Sequence, residues 1–220
     1  MSDIKNFTIA AARPLPVIIL ADVSGSMSEN GKIGVLNKSI KEMILSFSEA
    51  ASSRVEIQVA VITFGGESAK LHQDLISANQ CIWTDMVANG RTPMGSAFRL
   101  VAELIENKEK IPSRAYTPAI ILVSDCKPTK EAVDWHDALN SLLKSERASK
   151  AARYALAIGD DADIEMGKAF LADPSGKVFQ AHEASDIQRF FRIVTFSVTS
   201  RSRNSNPNQI QPTDPDDFDY

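Results

Sequence analysis

Val17-Ile18-Ile19-Leu20-Ala21-Asp22-Val23-Ser24-Gly25-Ser26-Met27 is the stretch that decides the fold. Its first five residues are continuously apolar, which suits a strand buried on both faces of a parallel sheet. A polar loop, 22–31, follows at once. Then Ile33, Leu36, Ile40, Met43, Ile44 and Phe47 recur at helical spacing and make one apolar stripe. Strand, loop and long helix together form the opening unit of an alternating α/β chain.

The same alternation continues outward. Val55, Ile57, Val59 and Val61 alternate on one face of a second strand ending near Phe64. Gly65-Gly66 signals a turn into a third strand over 68–76. Lys70, His72 and Asp74 make that strand polar, which suits an antiparallel edge. Thr92-Pro93 reads as a helix start, with Thr as N-cap and Pro as the first helical residue. Residues 119–123 form another fully apolar strand. Trp135, Ala138, Leu139 and Leu142 mark a helix, and 154–158 a strand stopped by Gly159. Asp163 caps a short helix reaching Leu171, 177–180 is a last short strand, and Ile187, Phe190, Phe191 and Val194 stripe a final helix. The expected fold is α/β, doubly wound, with a mainly parallel central sheet of about six strands and helices on both faces. The expected organisation is an N-terminal extension over 1–13, one domain over 14–200, and a weakly ordered polar and acidic tail over 201–220.

Composition narrows the function. The 220 residues carry 24 Lys+Arg against 28 Asp+Glu, a formal charge of −4, so no basic excess marks a nucleic-acid surface. No apolar run approaches the roughly 18 residues of a membrane span. Residues 1–12 lack the pattern of an export signal. Cys81 and Cys126 make no disulfide framework and read as reduced thiols of a cytoplasmic protein.

Chemistry concentrates in the loop after the first strand. Asp22, Ser24 and Ser26 place one carboxylate and two hydroxyls at alternating positions. Such oxygen ligands suit hard cations, Mg²⁺ or Mn²⁺. Gly25 lets the loop bend between the serines. Sites in open α/β sheets lie beyond the carboxyl ends of strands at the switch point. Asp22 stands there, Asp125 follows the other apolar strand, and Thr92 starts a helix whose loop can face the same crevice. Alone, Asp-x-Ser-x-Ser is equally well a turn capping the helix near Lys32.

Three segments, 17–27, Gly90-Arg91-Thr92-Pro93-Met94-Gly95 and Ile120-Ile121-Leu122-Val123-Ser124-Asp125, resemble the metal-ion-dependent adhesion site of von Willebrand factor A domains. Lys32-Ile33-Gly34-Val35-Leu36-Asn37 resembles the bacterial tellurium-resistance-associated, TerY-like branch. The resemblance implies Ser24 and Ser26 as direct ligands and Thr92 as a direct or water-mediated one. Asp22 and Asp125 act through waters or as outer acceptors. One position stays open for a partner's Asp or Glu. The implied function is metal-dependent protein–protein interaction in a stress-response or tellurium-resistance-type system, without catalysis. Asp125 is followed by Cys126 where the family often has Gly. Cys126 reads as a small filler, with a redox-sensitive thiol as the sharper alternative.

The rival reading is a Mg²⁺-dependent hydrolase or phosphatase at the same place. Ser24 lacks the Gly-x-Ser-x-Gly elbow, the second acid of phosphatase loops is missing, and no Walker loop is present. His72, His136 and His182 are scattered, without zinc spacing. Asp160-Asp161-Ala162-Asp163 reads as a helix cap rather than a calcium loop. The end of the chain holds Asp214, Asp216, Asp217 and Asp219 with Phe218 and Tyr220. The plain reading is a solvated acidic end. The sharper one is weak self-association, with a tethered carboxylate on the ion of the same or a neighbouring molecule.

Overall fold

The computed structural model describes residues 11–130 and 133–209. Six strands form one sheet in the order β3-β2-β1-β4-β5-β6. They are β1 (Arg13–Asp22), β2 (Val55–Gly65), β3 (Ser68–Ser77), β4 (Ala119–Ser124), β5 (Ala152–Ile158) and β6 (Phe179–Ala181). Only β3 is antiparallel, and it lies at an edge beside β2. The α-helices among the described residues are α1 (Lys32–Glu49), α2 (Met94–Glu106), α3 (Trp135–Lys144), α4 (Ile164–Leu171) and α5 (Ala184–Arg203).

The apolar runs sit where their lack of alternation predicts. On β1, Val17, Ile19 and Ala21 point to one helical layer, whose α1 and α5 supply Leu36, Ile40, Phe47, Phe190 and Val194. Ile18 and Leu20 point to the other, where α2, α3 and α4 supply Phe98, Leu139 and Phe170. A helical layer on each face excludes water from both sides of β1 and β4, which is why these strands carry apolar residues without interruption. The chain runs from β1 outward through β2 to β3, then returns to β4 on the other side of β1. The reversal of strand order therefore falls between β1 and β4, with Asp22 ending β1 and Asp125 following β4.

Several elements differ from their expected limits. α2 starts at Met94, and Pro93 is its N-cap without a side-chain cap bond. Thr92 therefore lies one residue before the cap, where its backbone exchanges bonds with Thr129. β6 is displaced toward the C-terminus, to Phe179–Ala181. The boundary expected at Ser200 falls inside α5, which continues to Arg203. Polar composition hides the reason. The buried Arg201 side chain donates from Nε to Pro207 O (3.1 Å) and from Nη2 to Thr117 O (2.8 Å), and Asn208 Oδ1 accepts from Thr117 N (2.9 Å). The segment 201–209 is thus fastened to the start of β4 rather than loose. Most of the expected N-terminal extension, and the acidic run 214–219, lie outside the described residues.

Candidate metal centre

Asp22 ends a strand that is buried along its length, and its side chain is 0% exposed. β1 and β4 pair in parallel with Ala21 opposite Val123, which sets Asp22 beside Ser124 on the same face. Ser124 Oγ donates to Asp22 Oδ2 at 2.6 Å, and Ser24 N donates to Asp22 Oδ1 at 2.8 Å. Both oxygens are engaged, yet burial dominates and pushes this carboxyl up to about 6, against the lowering effect of those hydrogen bonds. An ionised Asp22 is therefore a costly buried anion, and a nearby cation would offset that cost.

The loop after Asp22 turns in a 3₁₀ stretch over Gly25–Gly31. Ser24 Oγ and Ser26 Oγ share a hydrogen bond at 3.1 Å, and Ser26 Oγ donates to Asp125 Oδ2 at 3.3 Å. Ser28 Oγ donates to Gly25 O at 2.6 Å, holding the turn. Two hydroxyls and two carboxylates, Asp22 and Asp125, are thereby gathered from β1 and β4.

The segment carrying Thr92 is tied to both. Gly25 N donates to Gly90 O (3.0 Å) and Asn89 N to Val23 O (2.6 Å). Thr92 N donates to Thr129 Oγ1 (3.0 Å), and Thr129 N donates back to Thr92 O (3.1 Å). Thr92 is buried. The three sequence-distant segments close into one hydrogen-bonded ring around the switch point.

Ser124, Thr129 and Asn37 escaped the sequence reading as contributors. Ser124 orients Asp22, Thr129 holds Thr92, and Asn37 fixes the approach to Thr92 by exchanging two bonds with the Met86 backbone, 2.9 and 2.8 Å. Cys126 is buried, adopts φ 61°, and donates from N to Ser124 Oγ at 3.0 Å. Burial, with the charges of Asp125, Asp22 and Asp163, pushes its thiol up to about 12. A filler is what this geometry describes, since a buried thiol whose thiolate is disfavoured is a poor redox sensor.

A family model of the von Willebrand factor type A domain matches residues 17–193. The chain belongs to the von Willebrand factor type A domain family. Solved structures with this fold include a von Willebrand factor type A protein from Catenulispora acidiphila, 20% identical over 85% of this chain and 43% of that one, TM-score 0.62. Proximal thread matrix protein 1 from the mussel byssus, with a zinc-occupied MIDAS motif, is 15% identical over 86% of this chain and 48% of that one, TM-score 0.62. The ArnB paralog VWA2 from Sulfolobus acidocaldarius is 18% identical over 87% of this chain and 46% of that one, TM-score 0.57. At these identities the likeness is one of fold. The chain spans less than half the length of each of these three structures. Among curated proteins there is no match.

The donor set of this von Willebrand factor A domain fits a hard divalent cation. Asp22, Ser24, Ser26, Thr92 and Asp125 all offer oxygen, and Asp22 is buried deeply enough to gain from a positive neighbour. Among the described residues no group of three or more His, Cys, Asp or Glu converges on one point. The histidines stand elsewhere: His72 Nε2 pairs with Thr84 O, His136 lies beside Asp134, and His182 Nδ1 pairs with Asp160. None of these bonds reaches Ser24. Among the described residues no helix is long and apolar enough to cross a membrane.

Proposed function

We propose that this domain is an interaction module that binds a protein partner's Asp or Glu through Mg²⁺ held at the β1–β4 switch point. Ser24 and Ser26 would ligate the ion through their hydroxyls, with Thr92 completing the set directly or through water. Asp22 and Asp125 would act through waters. The observation that carries this reading is the ring itself: hydroxyl-bearing segments from three parts of the chain, tied by hydrogen bonds around a buried carboxylate. A site in which neutral hydroxyls outnumber carboxylates leaves cation charge uncompensated, and a partner carboxylate is the group that compensates it. The zinc-occupied motif of the mussel protein supports a divalent ion in this fold; Mn²⁺ is the next candidate here after Mg²⁺.

The reading contains no catalytic step: the carboxylates of Asp22 and Asp125 serve in it as acceptors for Ser24 N, Ser26 Oγ and Ser124 Oγ. A cytoplasmic setting is part of the proposal and accords with two free cysteines. A tellurium-resistance-type or stress-response system rests on the Lys32–Asn37 stretch alone. The test is a pull-down from lysate in Mg²⁺ against EDTA, with wild type and Asp22→Ala or Thr92→Ala chains. Partner capture should need the ion and fall in both variants while their circular dichroism stays native. Capture unchanged by EDTA would show binding through another surface.

A further inference from the structure

α1 and α5 both run from the carboxyl edge of the sheet to its amino edge, side by side on one face. Between them is a cavity of about 400 Å³. It is lined along α1 from Ser39 to Ala50, about 16 Å, and along α5 from Gln188 to Arg203, about 22 Å. Side-chain size explains the gap. Ser46, Ala50, Thr195 and Thr199 line it and are too short to interlock. Their hydroxyls are spent on their own helices: Ser46 Oγ donates to Glu42 O (3.1 Å), Thr195 Oγ1 to Phe191 O (2.6 Å) and Thr199 Oγ1 to Thr195 O (2.9 Å). Met43 and Phe191 add apolar lining. Ser39 is the exception: it is buried in the lining, and its Oγ has no hydrogen-bond partner.

The two rims carry opposite charge. Glu42 and Glu49 stand on the α1 side, Arg192 and Arg203 on the α5 side. Among the described residues no ion pair crosses from rim to rim; Glu42 pairs with Lys38 of its own helix at 3.9 Å. Opposite charges held apart by an open groove leave each rim to be matched from outside. Apolar surface continues past the rims. Phe196, 58% exposed, lines the α5 side, and Leu45, 56% exposed, lies one turn from both glutamates.

We propose that this groove seats an amphipathic helix of a partner protein. Large apolar side chains on its seated ridge fill the cavity, a basic flank meets Glu42 and Glu49, and an acidic flank meets Arg192 and Arg203. A helix offers such a ridge at i, i+4 and i+7, and about three turns of it match the length of the groove. A second copy of this chain is a poorer occupant. Its rims would match only with groove facing groove, which doubles the cavity instead of filling it. The site needs no ion, so it stands or falls apart from the metal reading.

Three synthetic helical peptides of about four turns, sharing one leucine ridge, are the probes. One has Lys on one flank and Glu on the other, one has Lys on both, and one has Glu on both. In EDTA at low salt, fluorescence anisotropy should show the wild-type chain preferring the mixed peptide over either uniform one by about fivefold or more, since a uniform peptide turns one rim's exposed pairs to repulsion. E42K/E49K makes both rims basic and should prefer the Glu peptide. R192E/R203E makes both acidic and should prefer the Lys peptide. Ser46→Trp fills the groove and should abolish binding of all three while circular dichroism stays native. The proposal is wrong if wild type binds no peptide at millimolar concentration, if the preferences do not follow the rims, or if the Ser46→Trp chain binds like wild type. A chain that sediments as a dimer without peptide, and as a monomer once Ser46→Trp is introduced, would give the groove to a second copy and overturn it as well.

Discussion

Asp22 is the residue on which the centre turns, and Ser124 is what orients it. Their 2.6 Å bond is charge-assisted and fully buried. Removing a hydrogen bond to a charged group costs about 1.5–3 kcal/mol. Ser124→Ala should lower the metal-free stability by that amount in urea denaturation, because Cys126 N loses its acceptor as well. A change under about 0.5 kcal/mol, within the range of ordinary surface substitutions, would mean that Asp22 does not depend on this bond. Cys126 allows a second check at the same scale. It is buried with its thiol pushed up to about 12, whereas Cys81 is half-buried with a thiol raised by burial alone. A thiol reagent should modify Cys81 but not Cys126 in the native chain, and both in guanidinium, as peptide mapping would read. Native labelling of Cys126 would reinstate the sensor reading. The position also shows why glycine is common there in the family: φ 61° is left-handed backbone, which glycine adopts without strain.

At the scale of elements, strands and helices were legible because burial on two faces and helical periodicity leave marks in sequence. β1 and β4 read as uninterrupted apolar runs, and α1 and α5 as stripes. Contacts between elements left no such mark. Nothing in the sequence states that Ser124 sits beside Asp22, because strand register is set by the fold and not by either strand alone. Gly65-Gly66 reads as a hairpin turn, which it is, but Gly66 also receives Gly90. A Cβ on Gly90 would stand 2.6 Å from Gly66 Cα and 2.8 Å from Gly66 N, and Gly90 has φ +75°. Backbone atoms cannot yield as a flexible side chain does. Gly90→Ala should cost about 1–3 kcal/mol and displace Thr92, weakening ion uptake. Gly66→Ala is the control: its φ is +70°, but its Cβ meets nothing within 4 Å. It should carry the backbone strain alone and leave ion uptake intact. Equal effects of the two on ion affinity would show that the glycine contact does not seat the Thr92 segment.

For the whole molecule, the five oxygen-bearing residues Asp22, Ser24, Ser26, Thr92 and Asp125 were legible because each lies next to a readable element end, and the family pattern joins them. The fastening of 201–209 was not, since Ser, Asn and Pro give the composition of a loose tail while Arg201 and Asn208 do the holding. The centre itself is an arrangement of the entire fold. It draws on β1, the segment before α2 and the segment after β4, which meet only when the sheet is complete. An ion held there binds the folded chain and not the unfolded one, so it must stabilise the fold. At a hundredfold excess over its dissociation constant the gain is about 2.7 kcal/mol. In a chain of this size each kcal/mol raises the melting temperature by roughly 2–4 °C. Saturating Mg²⁺ should therefore raise the melting temperature by about 5–10 °C in scanning calorimetry. Ser24→Ala with Ser26→Ala should abolish the rise while the metal-free transition stays cooperative, since each loses a hydroxyl that bonds within the crevice rather than in the apolar core. Equal ion binding by wild type and the double variant in titration calorimetry would place the ion elsewhere in the molecule.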